Sequence, residues 1–493
     1  MLAHLTDIAR QTVRATAIVV AGVAFTLPGL ISPAAARGPE GIADVAERVI
    51  DAVVNISTSQ SLEAKATPSP QLPPGSPFEE FFDEFFKNRR GGENGRRGPR
   101  RVNSLGSGFI IDSAGIVVTN NHVISDADEV TVILNDGTRL KAEIVGRDTK
   151  VDLAVLKVTP TVPLKAVKFG DSDNLRLGEW VIAIGNPFML GGTVTAGIVS
   201  ARNRDINSGP YDNYIQTDAS INRGNSGGPL FNLEGEVIGV NTAIISPSGG
   251  SIGIGFAVPS KTVVAVIDQL RQYGETRRGW LGVRIQPVTE EIAEALNIKP
   301  ARGTLIAGVD EKGPAKTAGI ETGDVILKFD GKDIKETRDL TRMVADTPVD
   351  KEVDVVIVRK GKEETKKVKV GRLADTDKKL ASVKPNGADD KPAAVKKTLG
   401  LDLADINEDL RRKYRIKDNV NGAVVTAVEQ NSPAAEKQLK PGDTIVEINQ
   451  ATVTSAADVQ KRVDQLKQEG RKSALFLVAN ADGDTRFVAL TLQ

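Results

Sequence analysis

Gly224-Asn225-Ser226-Gly227-Gly228 sets a serine among glycines, and two chain orders could make that serine a nucleophile. One is the elbow of α/β-hydrolases, which needs the acid and the histidine to follow the serine. The sequence holds two histidines, His4 and His122, and neither follows Ser226. No alternation of strands and helices surrounds the serine either, so the elbow is excluded. The other order is histidine, acid, serine, and His122, Asp152 and Ser226 satisfy it. A serine hydroxyl attacks poorly at neutral pH unless an imidazole takes its proton. The imidazole in turn needs a carboxylate that fixes its tautomer and stabilises its charged form. Glycines beside Ser226 permit positive φ, which turns the backbone N–H groups of the Gly224-Asn225-Ser226 segment toward one point where an oxyanion would form. Each residue alone has an ordinary explanation as a turn serine, a core histidine or a turn-capping aspartate. Their order points to covalent hydrolysis.

These side chains need strands to hold them. Phe109-Ile110-Ile111 and Ile116–Thr119 flank Asp112-Ser113-Ala114-Gly115, and Val130–Leu134 and Leu140–Val145 flank Asn135-Asp136-Gly137. Val237–Val240 follows Glu234-Gly235-Glu236. Short β-branched runs between turn signals predict an all-β sandwich or barrel from 102 to 259. A helix is predicted over Ser260–Tyr273, with Ser260 as N-cap and Gly274 as its stop. Gly106-Ser107-Gly108 and Gly253-Ile254-Gly255 lack the third glycine and following helix of a dinucleotide site, and read as β-turn and barrel-corner glycines.

Composition removes other chemistries. The chain has 493 residues, with 64 Lys+Arg against 64 Asp+Glu, and that neutrality argues against a dedicated nucleic-acid binder. With no cysteine there is no disulfide, thiol nucleophile or thiolate metal site, and two histidines cannot build a histidine-rich one. No phosphate-binding glycine loop is present, so neither nucleotide nor another cofactor is expected.

The length predicts several domains. Residues 1–36 read as a secretory leader: Arg10 and Arg14 precede the apolar run Ala15–Leu27, and Ala34-Ala35-Ala36 offers small residues for cleavage. That run is shorter than the ~20 residues a membrane span requires, although an uncleaved anchor is the alternative. No span is then expected in the mature chain. Residues 60–101 read as a loop insertion within a catalytic domain over 37–276. Within it Phe78, Phe81, Phe82, Phe85 and Phe86 follow helical spacing and suit packing on their own domain or on another subunit. The arginines among glycines that follow read as a solvated loop. Gly303-Thr304-Leu305-Ile306 and Gly422-Ala423-Val424-Val425 repeat at an offset of 119 residues, as do Pro314-Ala315 with Pro433-Ala434 and Gly323-Asp324-Val325-Ile326 with Gly442-Asp443-Thr444-Ile445. Two copies predict tandem domains over 278–373 and 397–493, joined by a polar linker over 374–396.

Three segments carry a resemblance to a known family. They are Thr119-Asn120-Asn121-His122-Val123, Asp152-Leu153-Ala154-Val155, and Gln216 through Gly228 with its Asp218-Ala219-Ser220-Ile221-Asn222-Arg223 lead-in. Gly253-Ile254-Gly255-Phe256-Ala257-Val258-Pro259 continues it. The chain resembles the HtrA (Deg) family of exported serine proteases over essentially its whole mature length. The resemblance implies a mainly β chain: a chymotrypsin-like double β-barrel followed by two PDZ-like α+β domains. It also implies a periplasmic endopeptidase acting without ATP on misfolded envelope proteins, with chaperone activity, assembled as trimers or multiples of trimers. Leu281-Gly282-Val283 and its repeat Leu399-Gly400-Leu401 would bind peptide C-termini through a backbone nest. Ile221, Thr242, Ala243 and Ile244 would line the specificity pocket. Ser220 stands where a pocket for basic side chains would carry an acid, so small aliphatic side chains fit better. The cysteine pair that some members carry in the loop equivalent to 60–101 is missing, which puts redox control there in doubt. A scaffold with an idle protease domain is the competing function.

Overall fold

The computed structural model describes residues 41–62, 100–186, 192–222, 224–247, 250–373 and 396–492. The leader over 1–36, the phenylalanines of 78–86, most of the insertion over 60–101 and all but the last residue of the 374–396 linker lie outside them.

Two six-stranded closed barrels form the first half. The first contains β1 (Val53–Leu62), β2 (Arg100–Asp112), β3 (Ile116–Thr119), β4 (Glu129–Ile133), β5 (Arg139–Asp148) and β6 (Leu153–Val158), in the order β1-β2-β3-β6-β5-β4. The second contains β7 (Trp180–Gly185), β8 (Thr193–Arg204), β9 (Tyr214–Thr217), β10 (Pro229–Phe231), β11 (Val237–Ile244) and β12 (Gly255–Pro259), in the order β10-β11-β12-β9-β8-β7. Turn chemistry sets the registers. The Gly115 N–H returns to the Asp112 carbonyl with φ of 96°, and the Asp112 carboxylate accepts from the Ala114 N–H. Each barrel fills its own interior with Val, Ile and Leu. A third cluster runs between them, where Phe109, Val118 and Leu153 of one barrel meet Ile182, Ile184 and Phe231 of the other. The seam is therefore dry beneath the surface, and that cluster anchors whatever sits at its rim.

The helix Ser260–Tyr273 lies on this seam through Val263, Ile267 and Leu270. Gly274 stops it at φ 74°, as its sequence position predicts. Ser260 differs from expectation: Pro259 occupies the cap position, and the Ser260 hydroxyl donates to the Gly170 carbonyl. The bond to the segment joining the two barrels wins over capping. Gly106 and Gly108 also differ, because they lie inside β2 and not at a turn. A Cβ on Gly106 would stand 2.6 Å from a Val123 methyl, and one on Gly108 2.8 Å from the Val118 carbonyl. Close packing selects them. Gly253 is a turn glycine with φ of 82°, while Gly255 opens β12 against Ile221.

The repeat becomes two domains of matching order. In the first, β13 (Gly279–Trp280) and β20 (Gly371–Arg372) pair with each other, while β14 (Val283–Pro287), β15 (Thr304–Val309), β16 (Val325–Phe329), β18 (Glu352–Arg359) and β19 (Lys362–Lys369) form the main sheet. The short β17 (Lys332–Asp333) pairs with β16. In the second, β21 (Lys396–Thr398), β22 (Leu401–Asp405), β23 (Ala423–Val428), β24 (Thr444–Ile448), β26 (Ser473–Ala479) and β27 (Thr485–Thr491) are sheet neighbours in that order, and β25 (Ala451–Thr452) pairs with β24. The repeated Gly-Asp pairs do equivalent work: Gly323 and Gly442 take φ of 91° and 96°, and the Asp324 and Asp443 carbonyls accept from the Ile306 and Val425 N–H groups at 2.8 Å. The two domains pack together: Leu305, Ala307 and Leu327 meet Leu475, Leu477 and Phe487 in one buried cluster.

Candidate active site

His122 rides on the helical turn Asn121–Ile124 directly after β3. Asp152 precedes β6 and takes φ of 60°, a left-handed conformation that aspartate tolerates better than most residues. That conformation lets both ends of the residue face the histidine turn. Its Oδ2 lies 2.5 Å from His122 Nδ1 and its Oδ1 accepts from the His122 N–H at 2.8 Å. Its carbonyl accepts from Asn120 Nδ2 at 2.7 Å and from the Asn121 N–H at 3.2 Å. The carboxylate thus holds His122 by two bonds, one to the imidazole and one to the backbone N–H, while the Asp152 carbonyl is tied to Asn120 and Asn121.

Ser226 comes from the other barrel, on the turn between β9 and β10. Gly224 and Gly227 flank it with φ of 96° and 84°. Gly227 has no room for a side chain, since a Cβ would fall 2.3 Å from the Ser107 carbonyl, 2.4 Å from Thr119 Oγ1 and 3.0 Å from the Asn120 nitrogen. The residue after Ser226 is therefore pressed against the strand end that carries His122. Ser107 on β2 holds the turn from beneath: its N–H donates to the Ser226 carbonyl at 2.9 Å and its hydroxyl to the Gly224 carbonyl at 2.5 Å. The same hydroxyl accepts from the Asn186 N–H at 2.8 Å. Thr119 Oγ1 closes the circuit by donating to the Ser107 carbonyl at 2.7 Å. Asn225 is buried beside Gly185. The serine turn is thereby packed against the end of β3, from which the His122 turn continues.

Among the predicted pocket residues, Ile221 and Ile244 are buried in the second barrel's interior cluster, and Ala243 is half-buried. Thr242 instead accepts from Asn120 Nδ2 at 3.1 Å, so it backs the acid. Ser220 is exposed, its carbonyl bound by Thr195 Oγ1. Sequence reasoning passed over Ser107 and Asn186 and gave Thr242 to the pocket, whereas its hydroxyl accepts from the asparagine that holds Asp152. The signal for Ser107 was the small-residue run at 106–108, whose glycines let β2 pack closely on Val123 and Val118.

The first repeat domain grips the protease domain close to this site. Arg278 reaches Asp148, whose other oxygen accepts from the Lys150 and Val151 N–H groups on the turn leading to Asp152. Arg338 pairs with Asp205 at 2.6 Å, and Arg342 donates to the Asp212 carbonyl. The Asp212 carboxylate binds Ile206 and Ser208, yet burial pushes its pKa above the ordinary aspartate value. Burial also raises the pKa of Tyr214, whose hydroxyl lies 3.0 Å from Ser208 Oγ.

Leu281-Gly282-Val283 and Leu399-Gly400-Leu401 begin β14 and β22 in their domains. Gly282 takes φ of 75° and packs on Gly313, where a Cβ would meet the Gly313 Cα at 2.8 Å. The Leu281 carbonyl accepts from the Ala315 N–H. In the second copy Leu399 and Gly400 both have positive φ, 56° and 76°.

Two six-stranded barrels followed by two repeated sheets have the architecture of a trypsin-like peptidase carrying two PDZ domains. The family patterns agree: a trypsin-like peptidase domain matches residues 106–240, and a PDZ domain matches 279–370 and 398–476. The chain is 42% identical over 473 residues to a probable periplasmic serine endoprotease, DegP-like, of Brucella suis biovar 1 (strain 1330), covering 92% of this chain and 90% of the relative. A protein of the same description from Rhizobium meliloti (strain 1021) is 45% identical over 429 residues, covering 85% and 83%. Among solved structures, an HtrA-type protease AlgW with a decapeptide matches at 37% identity and a TM-score of 0.55, covering 68% of this chain and 99% of that one. The chain belongs to the HtrA-type, DegP-like family of serine endoproteases. Among the described residues, no helix is long and apolar enough to cross a membrane.

Proposed function

We propose that this chain is a periplasmic endopeptidase that cleaves misfolded or unfolded envelope proteins without ATP and also shelters them as a chaperone. The observation that carries the reading is the doubly bonded Asp152–His122 pair set beside the Ser226 turn. Ser226 Oγ attacks the substrate carbonyl carbon while His122 takes its proton, and the displaced π pair collects on the carbonyl oxygen. The N–H groups of Gly224 and Ser226, on either side of Asn225, receive that oxyanion. His122 returns the proton to the leaving amine as the C–N bond breaks. It then deprotonates the water that hydrolyses the acyl-enzyme. Asp152 keeps Nδ1 protonated and stabilises the imidazolium.

Two further assignments complete the reading. Ile221, Ala243 and Ile244 shape an uncharged specificity pocket. Leu281-Gly282-Val283 receives the C-terminal carboxylate of a peptide, which adds as a strand to β14. The working unit is a homo-oligomer, a trimer or a multiple of trimers, as the family resemblance implies. The test is casein digestion with and without a serine-reactive phosphonate, followed by mass spectrometry. Digestion abolished by a label on Ser226 supports the reading. A chain that never cleaves casein yet suppresses aggregation is a scaffold.

A further inference from the structure

The two PDZ domains share a fold and a loop signature, but their peptide-accepting edges differ. In the first, β14 is an outermost strand of its sheet, and residues 279–280 are drawn off to pair with β20. Beside β14 runs the helix Thr337–Asp346, and Ile285, Pro287, Thr337 and Thr341 line an open groove between strand and helix. In the second, the equivalent edge of β22 is taken. Lys396, Lys397 and Thr398 pair antiparallel with Leu403, Asp402 and Leu401. The Thr398 hydroxyl bonds Gln460 on the helix Ala456–Gln468, so β21 lies between β22 and the helix that corresponds to the groove wall of the first domain.

The loop conformation explains the difference. Positive φ at both Leu399 and Gly400 makes a two-residue turn of the I′ kind, which joins adjacent antiparallel strands. A carboxylate loop instead needs its N–H groups pointed together at an incoming terminus. Gly313, which gives Gly282 its space, is replaced in the second copy by Ser432, and a Cβ on Gly400 would come 2.3 Å from the Ser432 Cβ. Among the described residues, no separate strand corresponding to β20 draws β21 away.

We propose that residues 396–398 are the internal ligand of the second PDZ domain. They occupy the edge where a peptide C-terminus would add, so external peptides reach the first domain alone until β21 unpairs. The inference rests on reading 281–283 as the carboxylate loop of the first domain. Strand addition is a competition for one row of N–H and C=O groups. A tethered segment wins it through its high effective concentration.

The experiment is calorimetric titration of the whole chain, in a Ser226→Ala background, with a decapeptide ending in valine with a free carboxylate. One peptide per chain is expected, with binding lost in Gly282→Trp. Adding Thr398→Pro removes a ladder donor and should restore one site per chain in that variant. Two sites in the parent chain would overturn the proposal. So would binding that survives Gly282→Trp but is lost when Lys397→Cys and Asp402→Cys join the strands by a disulfide in this cysteine-free chain. A Thr398→Pro chain that melts like its parent and still binds nothing would overturn it as well. If Thr398→Pro does not fold, hydrogen exchange at the Thr398 amide of the parent decides: slow exchange is expected, and exchange at the rate of an open chain refutes it. A parent chain that binds no peptide defeats only the assignment of 281–283, because Thr398→Pro still reports on the second groove.

Discussion

Arg278 Nη2 lies 2.5 Å from Asp148 Oδ2, with the side chains 13% and 1% exposed. Arg278 stands at the entry to the first PDZ domain, while Asp148 organises the backbone of residues 150 and 151. One ion pair therefore joins the PDZ domain to the turn that presents Asp152. Removing one partner of a buried pair costs about 3 kcal/mol, because the other charge is left without compensation. Arg278→Ala should destabilise the chain by that order and lower kcat more than KM, since the shifted group is Asp152 and not a substrate contact. Denaturation and steady-state kinetics check both. A variant with wild-type kcat would show that the Asp152 turn holds itself.

A second prediction concerns specificity. Ser220 offers no charge, and the segment around it is shaped by Ile221 and Ile244, so a Lys or Arg side chain would be buried there unpaired. Cleavage of casein should fall mainly after Val, Ala, Ile or Leu. Sequencing the products tests this, and a majority of cuts after basic residues would contradict it.

The acid response of the second PDZ domain has a definite sign. Burial raises the pKa values of Asp443 and Glu447 above their ordinary values. A carboxyl with a raised folded-state pKa takes up its proton on folding. Its contribution to stability therefore grows as pH falls through that pKa and is lost as pH rises. Glu447→Gln should accordingly raise the melting temperature of this domain at pH 7, with the gain shrinking as the pH falls. A gain that grows on acidification would reverse the assignment.

Much of this was legible in the sequence because the decisive features were local. Strands and turns showed in runs such as Ile116–Thr119 after Asp112–Gly115, and the order of His122, Asp152 and Ser226 excluded the hydrolase elbow. The repeat at 119 residues announced two similar domains. What escaped depended on long-range contact. Ser260 reads as a cap in the sequence, but its hydroxyl is taken by the Gly170 carbonyl, distant in the chain. Gly106 and Gly108 looked like turn residues until Val123 and Val118 closed on them. Likewise, Leu281-Gly282-Val283 and Leu399-Gly400-Leu401 read alike, and the backbone of Leu399 and the pairing of β21 separate them.

Ser226→Ala should separate cutting from holding. It removes one oxygen from a turn whose conformation rests on Gly224, Gly227 and Ser107, so the fold and the β14 groove should persist. Casein turnover should vanish while the decapeptide still binds with wild-type affinity. Loss of both together would mean that Ser226 is structural.

Ser107→Ala tests whether the serine turn is held from below. The Ser107 hydroxyl gives its proton to the Gly224 carbonyl and accepts the Asn186 N–H, so its loss leaves one acceptor and one donor without that partner. Each unsatisfied group costs about 1–3 kcal/mol when no water replaces the hydroxyl. Part of that cost appears as lower stability. The rest should appear in catalysis, because the Gly224 carbonyl belongs to the residue whose N–H we propose as an oxyanion donor. A turn free to rotate there presents that donor for only part of the time, and losing one oxyanion donor lowers kcat by about 100-fold. Substrate binding through the β14 groove uses none of these atoms, so KM and decapeptide affinity should stay near wild type. Ser107→Thr keeps the hydroxyl and should recover part of the rate if its methyl group fits. Kinetics on casein peptides and the rate of phosphonate labelling at Ser226 give two independent readouts. Equal labelling rates in Ser107→Ala and wild type would show that the glycines alone hold the turn.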